Sequence, residues 1–386
     1  MKKFLKILAL SLTLGFSISS VSADATIDKA TATMGSDPVG YIEAKVLDVQ
    51  ESIIPVDEAN PEFNELLVPN QKEITQTVKV KITSDGKYKN KDYTLTNVAV
   101  GRPNDLRIHK GDPVLIQLQK GESGEIVMYI VDYVRSTQVW LYIVLFAVVL
   151  LVFGRKSGLT SLLGLLFTFL MIFYVFIPGI MNGYNPLLLA LITATIVTIV
   201  VHGFVAGYTP KSVSSIIGTI GGVAVAGILG YVFMNWAYLV GLSSEEARNI
   251  YLLINPKIDF ANMYLAGVVI GSLGAVMDVG ISISSAISEL RIHAKDPSFE
   301  VLFKAGMNIG KDVLGTMSNT LILAYVGAAI PLMIILYSQN LMGMALNIDY
   351  IADEIVRSIA GSLGLFATIP ITAYIAAKME SKTSNT

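Results

Sequence analysis

A polytopic α-helical membrane protein preceded by an exported all-β domain is the fold class that this sequence predicts, and three observations predict it. Of its 386 residues, 53% are apolar and only 15% charged, with a mean hydropathy of +0.60, whereas soluble domains carry about 25% charge. The charges are also unevenly placed. Residues 24–135 hold 13 Lys and Arg and 18 Asp and Glu, while the 251 residues from 136 to 386 hold 12 of each. Third, the N-terminus has the three-part plan of an export signal: Lys2, Lys3 and Lys6, an apolar stretch over 7–16, then Val21, Ser22 and Ala23 as a small-residue cleavage site.

Residues 1–23 are therefore expected to be a signal peptide. The apolar core is shorter than the ~20 residues a spanning anchor needs. Residues 24–135 are expected to be an extracytoplasmic β domain. Segments 41–49, 74–82, 93–100, 113–118 and 125–134 mix β-branched and polar residues at near alternation. Turn signals separate the later ones, at Ser84, Asp85 and Gly86, at Lys110, Gly111 and Asp112, and between Gly121 and Gly124. Five short strands suit a small barrel of OB type.

Residues 136–386 are expected to form a transmembrane helical domain. Hydropathy places seven spans, at 137–154, 159–178, 186–205, 213–236, 263–286, 314–337 and 358–377. With the β domain exported, an odd number of spans leaves the C-terminus in the cytoplasm. Nine of the twelve Lys and Arg after residue 135 then fall on the inner side, and Arg248, Lys257 and Arg357 fall outside, as the positive-inside rule requires. Two outer connections read as surface helices: one capped by Ser243 with Glu246 and running to about Leu253, the other over 348–356 with Asp349, Asp353 and Glu354. An inner interfacial helix is expected over 298–310. All three are assigned packing roles.

The fifth and sixth spans carry the polar residues. On the fifth, Gly267, Gly271, Gly274, Asp278, Ser282, Ser285 and Glu289 recur every three or four residues, within a sector about 80° wide. The glycines permit close approach of a neighbouring helix, and Asp278 is expected to face the protein interior or a water-filled crevice. A carboxylate in hydrocarbon costs about 2.5–3.5 kcal/mol on insertion scales, so it marks a functional candidate; the alternative is an acid that bridges helices or sits wet at the interface. On the sixth, Asn308, Asp312, Gly315 and Asn319 share a face, with Lys311, Thr316 and Thr320 on its flanks. Asp312 suits an N-terminal helix charge, and Asn319 either bridges helices or lines a path.

In the fourth span Gly218, Gly222, Ala226 and Gly230 form a small-residue packing stripe. His202 ends the third span and reads as an interfacial residue, and Pro331 and Pro370 are expected to bend their helices.

Composition excludes several function classes. A net charge of −2 without a basic cluster argues against nucleic acid as a partner. The absence of cysteine removes disulfides, thiolate metal sites and Cys nucleophiles, and three scattered histidines do not suggest a metal centre. No HExxH, GxSxG, P-loop or GxGxxG pattern is present, and nothing calls for a cofactor. The remaining enzyme reading is an intramembrane aspartyl protease built on Asp278 and Asp312, although Gly310, Lys311 and Asp312 lack the second glycine of the GxGD motif.

The strings GFVAGYTPKSVSSIIGT (203–219), MDVGISISSAISEL (277–290) and GMNIGKDVLGTMSNTLILAYVG (306–327) resemble the YibE/F-like family of bacterial multi-transmembrane proteins over roughly residues 135–378. The β domain fits its longer, YibE-type members. The resemblance implies a bacterial cytoplasmic-membrane protein, with a smaller relative or self-association as candidate partners besides the bilayer. It implies no established activity. Its motif residues match at Asp278, Ser282, Ser285, Glu289, Asn308, Gly310, Asp312, Asn319 and Thr320, the same polar faces found by spacing. The expected function is a permease or transport component with a polar path near Asp278. The rival is a non-transport envelope assembly or sensor protein that recognises its partner through the β domain.

Overall fold

The computed structural model describes residues 38–54, 73–99, 105–121, 125–253, 258–293 and 298–382; the expected signal peptide lies outside them. The chain divides into two compact units, residues 1–142 and 143–386.

In the first unit, strands β1 (Pro38–Ile54), β2 (Glu73–Ile82), β3 (Asp92–Ala99), β4 (Pro113–Lys120) and β5 (Ile126–Tyr133) form one antiparallel sheet in the order β3-β2-β1-β4-β5. The strand alternation puts Ala44, Val46, Val78, Val80, Val114 and Ile116 on one buried face. A bulge between Val46 and Asp48 lets β1 pair with β4 along its first half and with β2 along its second. The sheet curls until β3 and β5 approach, but no ladder joins them. The five expected strands thus make a half-barrel, with an open cleft between 93–96 and 126–129.

Gln76 is fully buried and ties the sheet to the connection before β4. Its amide donates to Glu51 Oε1 (2.8 Å) and the Ile108 carbonyl (3.0 Å), while its carbonyl accepts from the Ile108 N–H (3.0 Å) and Asn97 Nδ2 (2.9 Å).

The second unit is helical, and its first helix begins within the last residues of the first unit: α1 (Ser136–Met181), α2 (Pro186–Ala206), α3 (Pro210–Trp236), α4 (Glu245–Leu253), α5 (Phe260–His293), α6 (Phe299–Ser338) and α7 (Asp349–Lys382), with a 3₁₀ turn at Met342–Asn347. Six of these are long and apolar enough to cross a membrane, against seven spans expected. The difference lies in α1. At 46 residues it would reach about 69 Å if straight, but Arg155 breaks it at φ 48°, ψ −117°. Gly158 then packs so tightly on the Leu150 carbonyl that a Cβ would not fit, so the chain turns sharply there. The two arms match the first two expected spans.

Sequence explains the helix starts. Asn185 caps α2 through the Leu188 N–H (3.0 Å), Thr209 caps α3, and each is followed by a proline that has no N–H to lose. For α4 the cap is Ser244, which accepts from the Ala247 N–H (3.1 Å), one residue later than expected. The expected interfacial helix over 298–310 is the first part of α6. The expected surface helix over 348–356 is the first part of α7. Both α6 and α7 continue through Pro331 and Pro370.

The core forms around α5. Its Leu265, Val268, Val269, Leu273, Val276, Val279, Ile283 and Ile287 are buried. α5 packs against α2, α3, α7 and α6, and the pairs α2–α3, α3–α7 and α7–α6 also pack, whereas α6 and α2 make no comparable contact. The ring around α5 is therefore open between α6 and α2. In the α3 stripe Gly218 lies on Thr372, and Gly222 on Thr368 and the Gly364 carbonyl, with no room for a Cβ at either glycine. At the far ends of α5 and α7, Arg291 Nη1 donates to the buried Glu380 at 2.7 Å.

Candidate functional site

The small and polar face of α5 points into the opening in the ring. Gly267, Gly271, Gly274, Asp278, Ser282 and Glu289 are exposed and Ser285 is half-buried, while the apolar residues fill the other side. Among the described residues this stripe has little packed against it. A Cβ at Gly267 or Gly274 would meet nothing within 4 Å, and at Gly271 only the Tyr325 ring, with the hydroxyl at 2.5 Å.

The polar face of α6 is likewise uncovered. Asn308, Lys311, Asp312, Gly315, Thr316, Asn319 and Thr320 are all exposed. The threonines turn their hydroxyls to their own helix, Thr316 to the Val313 carbonyl (3.0 Å) and Thr320 to that of Thr316 (2.9 Å). Contacts of Ile287 with Gly306 and of Gly271 with Tyr325 fix α5 and α6 as antiparallel neighbours. Asp278 and Asn319 then stand at nearly the same depth, and Asp312 about one turn away, near Ser282. Among the described residues no hydrogen bond or ion pair joins Asp278 to Asp312. At the end of α5, Glu289 pairs with His293 (3.2 Å), and the two border a shallow groove with Asn308.

A carboxylate and two serines on the low-profile glycine ridge of α5, with the Asn319 amide exposed on the neighbouring α6, form an open trough. Its floor is α5 and its walls are the flanking helices. Such a surface does not suit hydrocarbon, because an ionised acid there is costly; it suits water or another polypeptide.

A second polar cluster was not recognised as a site from sequence. Asp353, Glu354 and Arg357 sit where α7 meets α5 and α6. Asp353 is 3% exposed; Ser243 donates its hydroxyl to the Asp353 carboxylate, and Tyr264 donates to its backbone carbonyl at 2.8 Å. Arg357 Nη1 is 3.5 Å from Glu354 Oε1. Its guanidinium lies over the rings of Tyr264 (5.2 Å) and Tyr325 (5.9 Å). In the sequence this stretch reads as a surface helix with a packing role. The available signal was spacing: Asp353 and Arg357 continue, at intervals of three and four, into Ala360 and Gly364 of the packed face. Tyr325 links this cluster to the trough at Gly271.

His202, near the end of α2, is fully buried. Its Nδ1 is 2.8 Å from the Thr198 carbonyl, which only accepts, so that nitrogen carries the proton and Nε2 accepts from the Ser215 hydroxyl at 2.7 Å. Gly280 closes over the pair, since a Cβ there would stand 3.0 Å from both Ser215 Oγ and Thr219 Oγ1. Sealed by α5, the His202–Ser215 pair is a seam between helices.

Comparison with known proteins agrees with this architecture. The YibE/F-like protein family model matches residues 142–382, and that of the YibE/F family N-terminal domain matches residues 44–133. No curated protein and no solved structure gives a significant match. The chain belongs to the YibE/F-like family, and it is an integral membrane protein.

Proposed function

We propose that this YibE/F-like protein is a component of a membrane transport system, and that the trough between α6 and α2 lines the path. The observation that carries this reading is the placement of Asp278. Among the described residues it stands exposed on the open side of α5, between Gly274 and Ser282, while the other sides of that helix pack against its neighbours. Glycines keep the floor low, and Asp278 and Asn319 supply a carboxylate and an amide at one depth. A solute or ion moving along α5 meets these groups first. A second copy or a smaller relative closes the trough against lipid. The β domain lies outside the cell and serves docking or capture, and the C-terminus is cytoplasmic, in keeping with the basic residues of the connections.

The test is flux or binding in proteoliposomes, scored for ions, metabolites and lipids, together with the cellular phenotype of Asp278→Asn. Loss of flux with Asp278→Asn in a folded protein is expected. No flux or binding for any class, with an intact phenotype in Asp278→Asn, ends this reading. If deletion of residues 24–135 abolishes function while Asp278→Asn and Asn319→Ala are tolerated, the β domain is instead the functional part.

A further inference from the structure

Three polar atoms inside the contact of α5, α6 and α7 are buried without a hydrogen-bond partner: Asp353 Oδ1, Glu354 Oε2 and Arg357 Nε. We infer that Asp353 and Glu354 form a proton-binding pair, one member of which carries a proton when the protein is at rest.

The charges facing the pair are few. On α7 they are Asp349, one turn away, and Arg357. The turn before α4 presents the Ser243 hydroxyl, and α4 itself Arg248, whose guanidinium is already bonded to the Ser243 carbonyl at 2.7 Å. From α5 comes Tyr264, which spends its hydroxyl on a backbone carbonyl, and from α6 comes Tyr325. Two buried acids thus share one guanidinium, and that guanidinium approaches Glu354 no closer than 3.5 Å. A buried uncompensated charge is costly, and of two neighbouring acids one is readily kept neutral.

A metal ion does not fit this cluster. Calcium takes six to eight oxygens, whereas only two carboxylate oxygens are open here, and among the described residues no group of three or more acids and histidines could hold a metal. A proton needs only one oxygen, and it turns that oxygen into a donor. It arrives from water and adds to Asp353 Oδ1 or Glu354 Oε2, and no other bond changes.

The cluster is placed to affect the trough. A proton on Glu354 removes the attraction that holds Arg357 toward it. Arg357 lies over Tyr264 and Tyr325, and the Tyr325 hydroxyl rests on Gly271 at the head of the open α5 face. Proton loading would therefore shift the wedge between α5 and α6. This coupling step rests on the transport reading, whereas the proton site itself does not.

The test is infrared difference spectroscopy of the full chain in lipid nanodiscs over a pH series, reading the carbonyl stretch of protonated carboxyl groups. The expected result is a one-carboxyl band in the wild type at neutral pH, lost in Asp353→Asn or Glu354→Gln and retained in Asp278→Asn. Absence of the band from the wild type overturns the inference even if a variant fails to fold. So does a band unchanged in both cluster variants. A cluster band with neither flux nor binding, and an intact phenotype in Asp278→Asn, leaves the proton site standing and sinks the transport reading; flux without a cluster band does the reverse.

Discussion

His202 Nε2 lies 2.7 Å from Ser215 Oγ, with both side chains fully buried between α2 and α3. The seam they form is a stability element. Ser215→Ala leaves the ring nitrogen without a donor in a dry site. Such orphaning costs about 1–3 kcal/mol, and bridging bonds between membrane helices average about 0.6 kcal/mol. A loss of roughly 1 kcal/mol is expected, measured as a lowered midpoint of thermal unfolding in detergent. An unchanged midpoint would mean that the bond contributes nothing.

The glycines divide into two groups with opposite expectations. Gly222→Val drives a branched side chain into Thr368 and the Gly364 carbonyl, and overpacking of this kind costs typically 1–3 kcal/mol. Gly274→Ala meets open space, so its folding stability should stay within about 0.5 kcal/mol or rise with helix propensity. The same change narrows the trough and should reduce flux. Unfolding midpoints and flux measured on both variants check the division.

Arg291 and Glu380 join the far ends of α5 and α7. Glu380→Gln leaves Arg291 with a neutral partner in a half-buried place. Removing one partner of a fully buried pair costs about 3–5 kcal/mol, and because the Arg291 side chain is 30% exposed, a loss of roughly 2 kcal/mol is the expected figure. A detergent unfolding curve reads it.

In the β domain, Gln76→Leu deprives the Ile108 N–H of its acceptor and Asn97 Nδ2 of one of its two, the other being the Leu106 carbonyl. The connection at 105–108 should loosen by about 1–3 kcal/mol. Arg107 is exposed, so limited trypsin digestion of the intact protein should cut there faster in the variant, with cleavage elsewhere unchanged.

Much of the architecture is legible in the sequence, because each strand and most helices carry their period in a few residues. Val78, Val80 and Ile82 alternate with Lys79 and Lys81, and the pleat sorts them inside and outside. Closure of the sheet is not local. Whether β3 meets β5 depends on accumulated twist and on the bulge in β1, which no single segment encodes. The α5 face was found at the right period, but a run of Gly267, Gly271 and Gly274 looks the same whether a helix covers it or not. Only the arrangement of four other helices decides that. The burial of the start of α7 is not legible for a related reason: Asp353 and Arg357 are charged, and charge in a short connection resembles solvent exposure until Ser243, Tyr264 and Tyr325 are seen to enclose them.

The claim that the α5–α6 trough is a water-lined path has a direct measurement. The protein contains no cysteine, so single-cysteine variants carry no background. Gly274→Cys, Ser282→Cys and Asn319→Cys in native membranes should react with a water-soluble thiol reagent, while Ile228→Cys, on the lipid-facing side of α3 with Ile228 63% exposed, should not. If cysteines at 274, 282 and 319 are as unreactive as the one at 228, the trough does not hold water and the transport account is wrong.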